Sequence, residues 1–115
     1  MTIALLVAVL LAAAPPEAVL EPAFGAAIVS THPDGRKARL WLRRDHSYAA
    51  QGRKGERSSG TWRLSKAGEL CLRQKRPLPL PLAYCRPPPT ARVGRPWKDT
   101  AFNGEPVVNE IVRVR

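Results

Sequence analysis

Short apolar runs separated by turn signals recur along most of the chain, and none of them shows sustained helical spacing. Residues 27–31 and 37–43 flank His32-Pro33-Asp34-Gly35, in which Asp-Gly supplies the positive φ that a tight hairpin needs. This pattern predicts an antiparallel hairpin and favours β structure for the chain as a whole.

The second strand of this hairpin shows the two-residue alternation of a sheet with one buried face. Ala38, Leu40 and Leu42 share one face, and Arg39, Trp41 and Arg43 share the other. We expect the aliphatic face to point inward and the arginine face to lie in solvent.

Further strands are predicted at residues 47–51, 60–65, 69–74 and 107–113, with a mobile polar loop at 52–59 and a hairpin at Asn103-Gly104. Prolines 77, 79 and 81 cannot donate to a sheet ladder, so residues 76–81 are predicted to form an extended connection. The fold class is therefore all-β, with about seven or eight short strands. A small, partly open antiparallel barrel is expected, with a sandwich as the alternative.

The N-terminal segment resembles the apolar part of a signal peptide. Residues 3–14 contain only Ala, Leu, Val and Ile, and these twelve residues are too few for a membrane-spanning helix of about 20. We expect a signal peptide and short linker over residues 1–24, cleaved within 13–24, and a single β-rich domain over residues 25–115. A buried or membrane-peripheral helix is the alternative. With no cysteine near the leader's end and no further apolar segment of that length, no lipid or transmembrane anchor is expected in the mature chain.

Cys71 and Cys85 are the only cysteines, and thirteen residues separate them. A cysteine pair in an exported small domain indicates a disulfide, whereas a cytosolic pair suggests metal or redox chemistry. If Leu72 and Tyr84 face inward, both cysteines face outward and can lie opposite each other on paired strands. A zinc site lacks the close C-x-x-C spacing, and a Cys-His nucleophile is the remaining alternative.

The chain carries 19 Lys and Arg against 9 Asp and Glu, a net charge of +10 that rises to +12 if Glu17 and Glu21 leave with the leader. Such a field attracts anions, so anionic envelope polymers or lipid head groups are expected partners, and nucleic acid is not. The candidate anion surface consists of Arg39, Trp41, Arg43, Lys75 and Arg76. An indole beside arginine can stack on a ligand, or it can be covered by the arginine stems.

Five residues are candidates for the interior or for a ligand pocket: Trp62, Leu64, Leu72, Tyr84 and Trp97. Gly60-Thr61-Trp62 resembles the G-x-W motif of lipocalins, whose barrels hold apolar ligands, but a buried core tryptophan is the favoured explanation. Trp97 is expected to cover one end of the core or to line a pocket.

Catalytic motifs are sparse. His32 and His46 lie in predicted turns, and neither has a Ser, Cys or carboxylate partner at an informative spacing. No phosphate loop, paired-carboxylate motif or metal-ligand cluster appears, so we expect no cofactor, no metal and no enzyme. A hydrolase that uses His32 or His46 is the least favoured alternative.

Several short motifs together resemble small exported proteobacterial proteins of uncharacterised function. They are Pro33-Asp34-Gly35, Gly60-x-Trp62, Leu70-Cys71-Leu72, Tyr84-Cys85 and Val93-Gly94-x-x-Trp97. The resemblance implies an exported β domain with a cysteine pair, and it implies no activity. We therefore expect a non-catalytic, periplasmic or secreted envelope domain that binds anionic components, with a lipocalin-like carrier of an apolar ligand as the alternative.

Overall fold

A computed structural model describes residues 16–89 and 92–113, and its architecture is all-β, as the alternation predicts. Within these residues one sheet contains eight antiparallel strands and one short 3₁₀ helix, Pro16–Ala23, precedes it. The strands are β1 (Ala26–Thr31), β2 (Lys37–Leu42), β3 (Ser47–Gln51), β4 (Arg57–Leu64), β5 (Leu70–Arg76), β6 (Tyr84–Arg86), β7 (Trp97–Thr100) and β8 (Pro106–Arg113). The apolar segment predicted as a leader, residues 3–14, lies outside the described residues.

The strand order is β6-β5-β4-β3-β2-β1-β8-β7, so the first six strands form a meander and the last hairpin returns to pair with β1. The sheet curls into a half-barrel, which confirms the prediction of a partly open barrel. Because β6 and β7 are the two edge strands, the gap between them is where the barrel stays open. We call this gap the seam.

Residues that pair directly across neighbouring strands point to the same face of the sheet. The predicted alternation along each strand therefore defines an inner and an outer surface. Ile28 pairs with Leu40 and with Ile111, and all three point to the inside. On β2 the inward residues are Ala38, Leu40 and Leu42, as expected from their spacing.

The predicted hairpin turns form as the sequence indicates. Gly35 has a φ of 81°, and its amide donates to the carbonyl of His32 at 2.9 Å. Gly104 has a φ of 84°, and its amide donates to Ala101 at 2.9 Å. Only glycine adopts this backbone region at little cost, which explains both turn positions.

The predicted polar loop at 52–59 is too long. β4 begins at Arg57, so only residues 52–56 form the turn, and Ser58 pairs with Ala50. A bulge after Ser59 leaves Lys75 as the extra residue on β5, since Ser59 pairs with Arg76 and Gly60 with Gln74. A Cβ at Gly60 would lie 1.9 Å from the carbonyl oxygen of Arg73, so this bulge accepts only glycine.

The 3₁₀ helix closes one end of the half-barrel. Leu20 is fully buried and packs with Ala23, Trp62 and Ile111 in the apolar core. Arg44 donates two hydrogen bonds to Glu21 and thereby joins the helix to the turn between β2 and β3. The packed unit thus includes Leu20 and Ala23, which precede the expected domain boundary at residue 25, and that boundary stays a prediction.

The net charge of +12 assumed that Glu17 and Glu21 leave with the leader, but both residues lie on this packed helix. Residues 1–15 carry no charged side chain, so a chain that begins at residue 16 keeps the net charge of +10. No helix within the described residues is long and apolar enough to cross a membrane.

Candidate functional site

The half of the barrel opposite the 3₁₀ helix contains a cavity of about 390 Å³. Four connections lie at this end, which we call the mouth: residues 32–36, 52–56, 77–83 and 101–105. All of them except 77–83 contribute residues to the cavity wall. Below the cavity the interior is filled by Leu42, Tyr48, Trp62 and Ile111. The half-barrel is therefore packed at one end and open at the other.

The cavity wall is mainly apolar. It includes the aliphatic residues Ile28, Leu40, Leu70, Leu72 and Val107 and the aromatic residues Tyr84, Trp97 and Phe102. Each of these strand residues is an inward position of its strand, so the same alternation that builds the core also builds the wall. Phe102, in the turn between β7 and β8, packs edge-to-face against Tyr84 with ring centroids 5.2 Å apart.

A chain of polar side chains crosses the cavity wall from β1 to β6. Ser30 donates to Asn109 at 2.5 Å, Asn109 donates to Asp99 at 3.1 Å, and Arg86 donates to the other oxygen of Asp99. The hydrogen bond to Asp99 raises the pKa of Arg86. The ion pair joins the two edge strands, so side chains bridge the seam where no backbone ladder does.

Arg86 also keeps a donor that the fold does not use. Its Nε is buried and has no hydrogen-bond acceptor among the described residues. A buried donor without a partner costs about 1–3 kcal/mol. Although Arg86 lines the cavity, this atom is closed to solvent, so a ligand oxygen reaches it only if the side chain moves.

A second polar cluster lies at the mouth and joins three turns. Arg53 donates to both carboxylate oxygens of Glu105, at 2.9 and 3.3 Å, and lies 3.8 Å from Asp34. His32 contacts the same pair, with its Nδ1 3.4 Å from Arg53 and 3.7 Å from Glu105. The hydrogen bond from Arg53 lowers the pKa of Glu105, and the backbone amide of Arg36 lowers the pKa of Asp34.

The five residues predicted for the interior or a pocket separate into two groups. Leu72, Tyr84 and Trp97 line the cavity, and Trp97 does so from the strand β7. Trp62 lies in the packed end, 2% exposed, and donates from its indole to the carbonyl of Arg43 at 2.7 Å. Leu64 packs against the same core and is not part of the cavity wall.

The predicted anion surface is divided between two places. Arg39, Trp41 and Arg43 lie on or beside the outer face of β2, where Trp41 is half-buried opposite Ala49. Lys75 and Arg76 are exposed at the mouth end of β5. Trp41 and the mouth-end cations therefore belong to separate surfaces.

The disulfide between Cys71 and Cys85 forms in the predicted register. The two residues pair directly, with Cα atoms 4.0 Å apart, and Leu72 pairs with Tyr84 beside them. Both cysteines alternate with residues of the cavity wall, so the disulfide lies on the outer side of the sheet. Its position on the outer side is consistent with a structural role.

The two histidines lie in different turns, at opposite ends of the half-barrel. His46 stacks on Trp62 with ring centroids 4.2 Å apart and lies 2.7 Å from Glu17. His32 contacts only Arg53 and Glu105 among the polar side chains of the described residues, and no hydroxyl is hydrogen bonded to either ring there.

Sequence reasoning missed the polar chain of the wall, namely Ser30, Asp99, Asn109 and Arg86. A signal was nevertheless present, since Arg86 is two residues from the inward Tyr84 and Asn109 lies between the inward Val107 and Ile111. Extending the alternation to polar residues would have identified them.

The fold and the site define a disulfide-bonded, eight-stranded half-barrel with an open cavity. No protein-family model matches the chain, and no curated protein or solved structure is significantly similar to it.

Proposed function

We propose that this protein binds a small, uncharged and mainly apolar molecule in the cavity of its half-barrel. The cavity of about 390 Å³ carries this proposal, because its volume lies within the range of about 300–1,000 Å³ that is usual for small-molecule sites. A protein whose interior only stabilised the fold would be filled at both ends. The apolar wall with a few polar groups is typical of binding sites for organic ligands.

The charges of the wall favour an uncharged ligand. Two cations, Arg53 and Arg86, and two carboxylates, Glu56 and Asp99, line the cavity. Arg86 is already paired with Asp99, so an anionic ligand would have to compete with that carboxylate. A ligand whose polar groups are hydroxyl, carbonyl or ether oxygens would leave the Arg86–Asp99 pair intact and the charge balance of the wall unchanged.

We infer that this binding takes place outside the cytoplasm. The disulfide supports that location, since disulfides persist in oxidising compartments, and the apolar segment at residues 3–14 supports export. Periplasmic or secreted placement fits both observations. The role is that of a non-catalytic binding protein.

The test uses the uncharged fluorophore N-phenyl-1-naphthylamine, which fluoresces strongly only in apolar surroundings. We expect saturable enhancement with one site per chain. Ala38 lines the cavity, and Ala38→Phe should fill it and weaken probe binding at least tenfold. Ala49, which lies on the outer side opposite Trp41, provides the matched control Ala49→Phe, which should bind the probe like the wild type.

Both variants are first compared with the wild type by circular dichroism and thermal unfolding, so that loss of the fold is recognised. The proposal is overturned if the folded wild type shows no saturable enhancement. It is equally overturned if folded Ala38→Phe binds as tightly as Ala49→Phe, because the probe then lies outside the cavity.

A second candidate function is the binding of anionic envelope polymers by the outer face. The strands β2 to β5 contain no Asp or Glu, and their outer positions away from the mouth end carry Arg39, Arg63 and Arg73. Trp41 lies between these cations, opposite the small residue Ala49. A surface with one sign of charge favours anionic partners and makes their binding sensitive to salt.

A further inference from the structure

The most exposed large apolar side chains of the described residues cluster at the mouth end of the half-barrel. Leu78, Leu80 and Leu82 are 69%, 49% and 81% exposed on the connection between β5 and β6. Phe102 is 83% exposed on the turn between β7 and β8. Apolar side chains that stay in water do not stabilise the fold. A cluster of them therefore indicates a surface that interacts with a partner.

The leucines are held outward by a fixed connection. The amide of Leu80 donates to the carbonyl of Gln74 at 3.0 Å, and the Gln74 side chain donates to the carbonyl of Leu78 at 3.1 Å. Arg73 donates to the carbonyl of Pro81 at 3.1 Å. Prolines alternate with the leucines and restrict the backbone, and the disulfide ties β5 to β6 next to the connection.

Cations surround these apolar side chains. We define the rim as residues 32–37, 52–57, 75–83 and 101–106, which include the four connections of the mouth. It carries seven cations and three carboxylates: Arg36, Lys37, Arg53, Lys54, Arg57, Lys75 and Arg76 against Asp34, Glu56 and Glu105. Asp34 and Glu105 contact Arg53, and Asp34 also contacts Arg36. The other five cations are exposed and form no ion pair with any of the described residues.

We propose that the rim docks on the surface of an anionic lipid bilayer, with the leucines and Phe102 inserted among the lipids and the cations at the head groups. Exposed apolar side chains next to Lys and Arg are the combination that binds membrane interfaces, since burial of apolar area and attraction to anionic lipids act together. A fluid bilayer can surround irregularly spaced apolar side chains, whereas a protein partner would need a groove of matching shape. In this orientation the opening of the cavity faces the lipid.

The proposal of membrane docking rests on the rim residues alone and does not depend on ligand binding in the cavity. If both hold, the ligand enters the cavity from the bilayer, and its class narrows to small uncharged lipids or other membrane-soluble molecules.

The test measures binding of the full chain to sedimented vesicles, either of pure phosphatidylcholine or with about one third phosphatidylglycerol. All variants carry the same N-terminal segment, so differences between them report on the rim. We expect binding to the anionic vesicles that weakens at least tenfold between low and high salt. Replacement of Leu78, Leu80 and Leu82 by serine should weaken it at least tenfold, and Phe102→Ser should weaken it less.

Two matched controls separate the rim from other surfaces. Val108→Thr with Val112→Thr changes two exposed apolar residues on the outer side of β8 and should leave binding unchanged. For charge, Lys75→Glu with Arg76→Glu should weaken binding at least tenfold. Arg39→Glu on the outer face of β2 should change it less than threefold.

The proposal is overturned if the triple leucine variant, folded by circular dichroism, binds vesicles as the wild type does. It is also overturned if Arg39→Glu abolishes binding while the rim variants retain it, an outcome that supports the outer face instead. Binding to soluble heparin without binding to anionic vesicles would likewise reject it, in favour of a polymer. Probe binding measured without vesicles reports on the cavity alone, so the two proposals can fail separately.

Discussion

Replacement of Leu20 by alanine should destabilise the domain strongly, because this side chain closes one end of the core. Leu20 is fully buried and contacts the cluster that contains Trp62 and Ile111. Leu→Ala changes in such sites cost about 3–5 kcal/mol, since the lost contacts leave a cavity that relaxes only partly. Domains of this size have a free energy of unfolding of about 5–15 kcal/mol, so the loss is a large fraction of it.

The expected loss corresponds to a fall in Tm of roughly 12 °C or more, at about 4 °C or more per kcal/mol for a domain of this size. Urea unfolding followed by tryptophan fluorescence gives the free energy, with an unchanged slope against urea concentration as the sign that only stability changed. Val19 lies next to Leu20 in the same 3₁₀ helix and is 42% exposed, so Val19→Ala is the matched control and should change stability by less than about 0.5 kcal/mol.

Equal stability of the two variants would refute the packing role of Leu20 and would support the predicted domain boundary at residue 25. A large difference shows that residues 16–24 belong to the packed domain, and it favours a cleavage point before them. The experiment therefore decides whether the helix packs as part of the domain.

Two further predictions concern the disulfide and pH. Reduction of the disulfide, which spans a sequence separation of 14, should lower the free energy of unfolding by about 3 kcal/mol in the chain-entropy model; an unchanged urea midpoint with both thiols shown to be alkylated would contradict it. Because Arg53 lowers the pKa of Glu105, the ionised carboxylate stabilises the folded state above the ordinary pKa of 4.5, and this contribution disappears as the pH falls through the lowered folded value. The difference in Tm between wild type and Glu105→Gln should therefore be largest near neutral pH and shrink below about pH 4.5; a difference that stays constant with pH would count against the ion pair.

The two-residue alternation of the sequence determined more than the fold class. Since Leu72 and Tyr84 had to face the same side, Cys71 and Cys85 had to share the other, and direct pairing followed. The turn residues determined the hairpins at Gly35 and Gly104, because both positions need a positive φ. These properties are local, and each depends only on neighbours along one strand or one turn.

The predicted start of β4 was wrong because tertiary contacts override the local sequence pattern there. Residues 57–59 are polar and lie next to a glycine, which predicts a loop, but pairing with β3 continues the strand through them. The helix at Pro16–Ala23 contains two prolines and two glutamates, and Leu20 is buried only because the helix covers the packed end of the half-barrel. Local sequence does not contain the shape of that end.

The candidate site itself was decided by the tertiary structure. A cavity forms because the sheet curls without closing, and the return of β8 to β1 leaves β6 and β7 as edges on either side of the seam. Arg86 and Asp99 are thirteen residues apart and meet only because those edges face each other. The sequence by itself determined which side chains point inward, from a period set by strand geometry. Only the tertiary structure decided how far apart the two edges lie, and hence which inward residues fill a core and which surround a cavity.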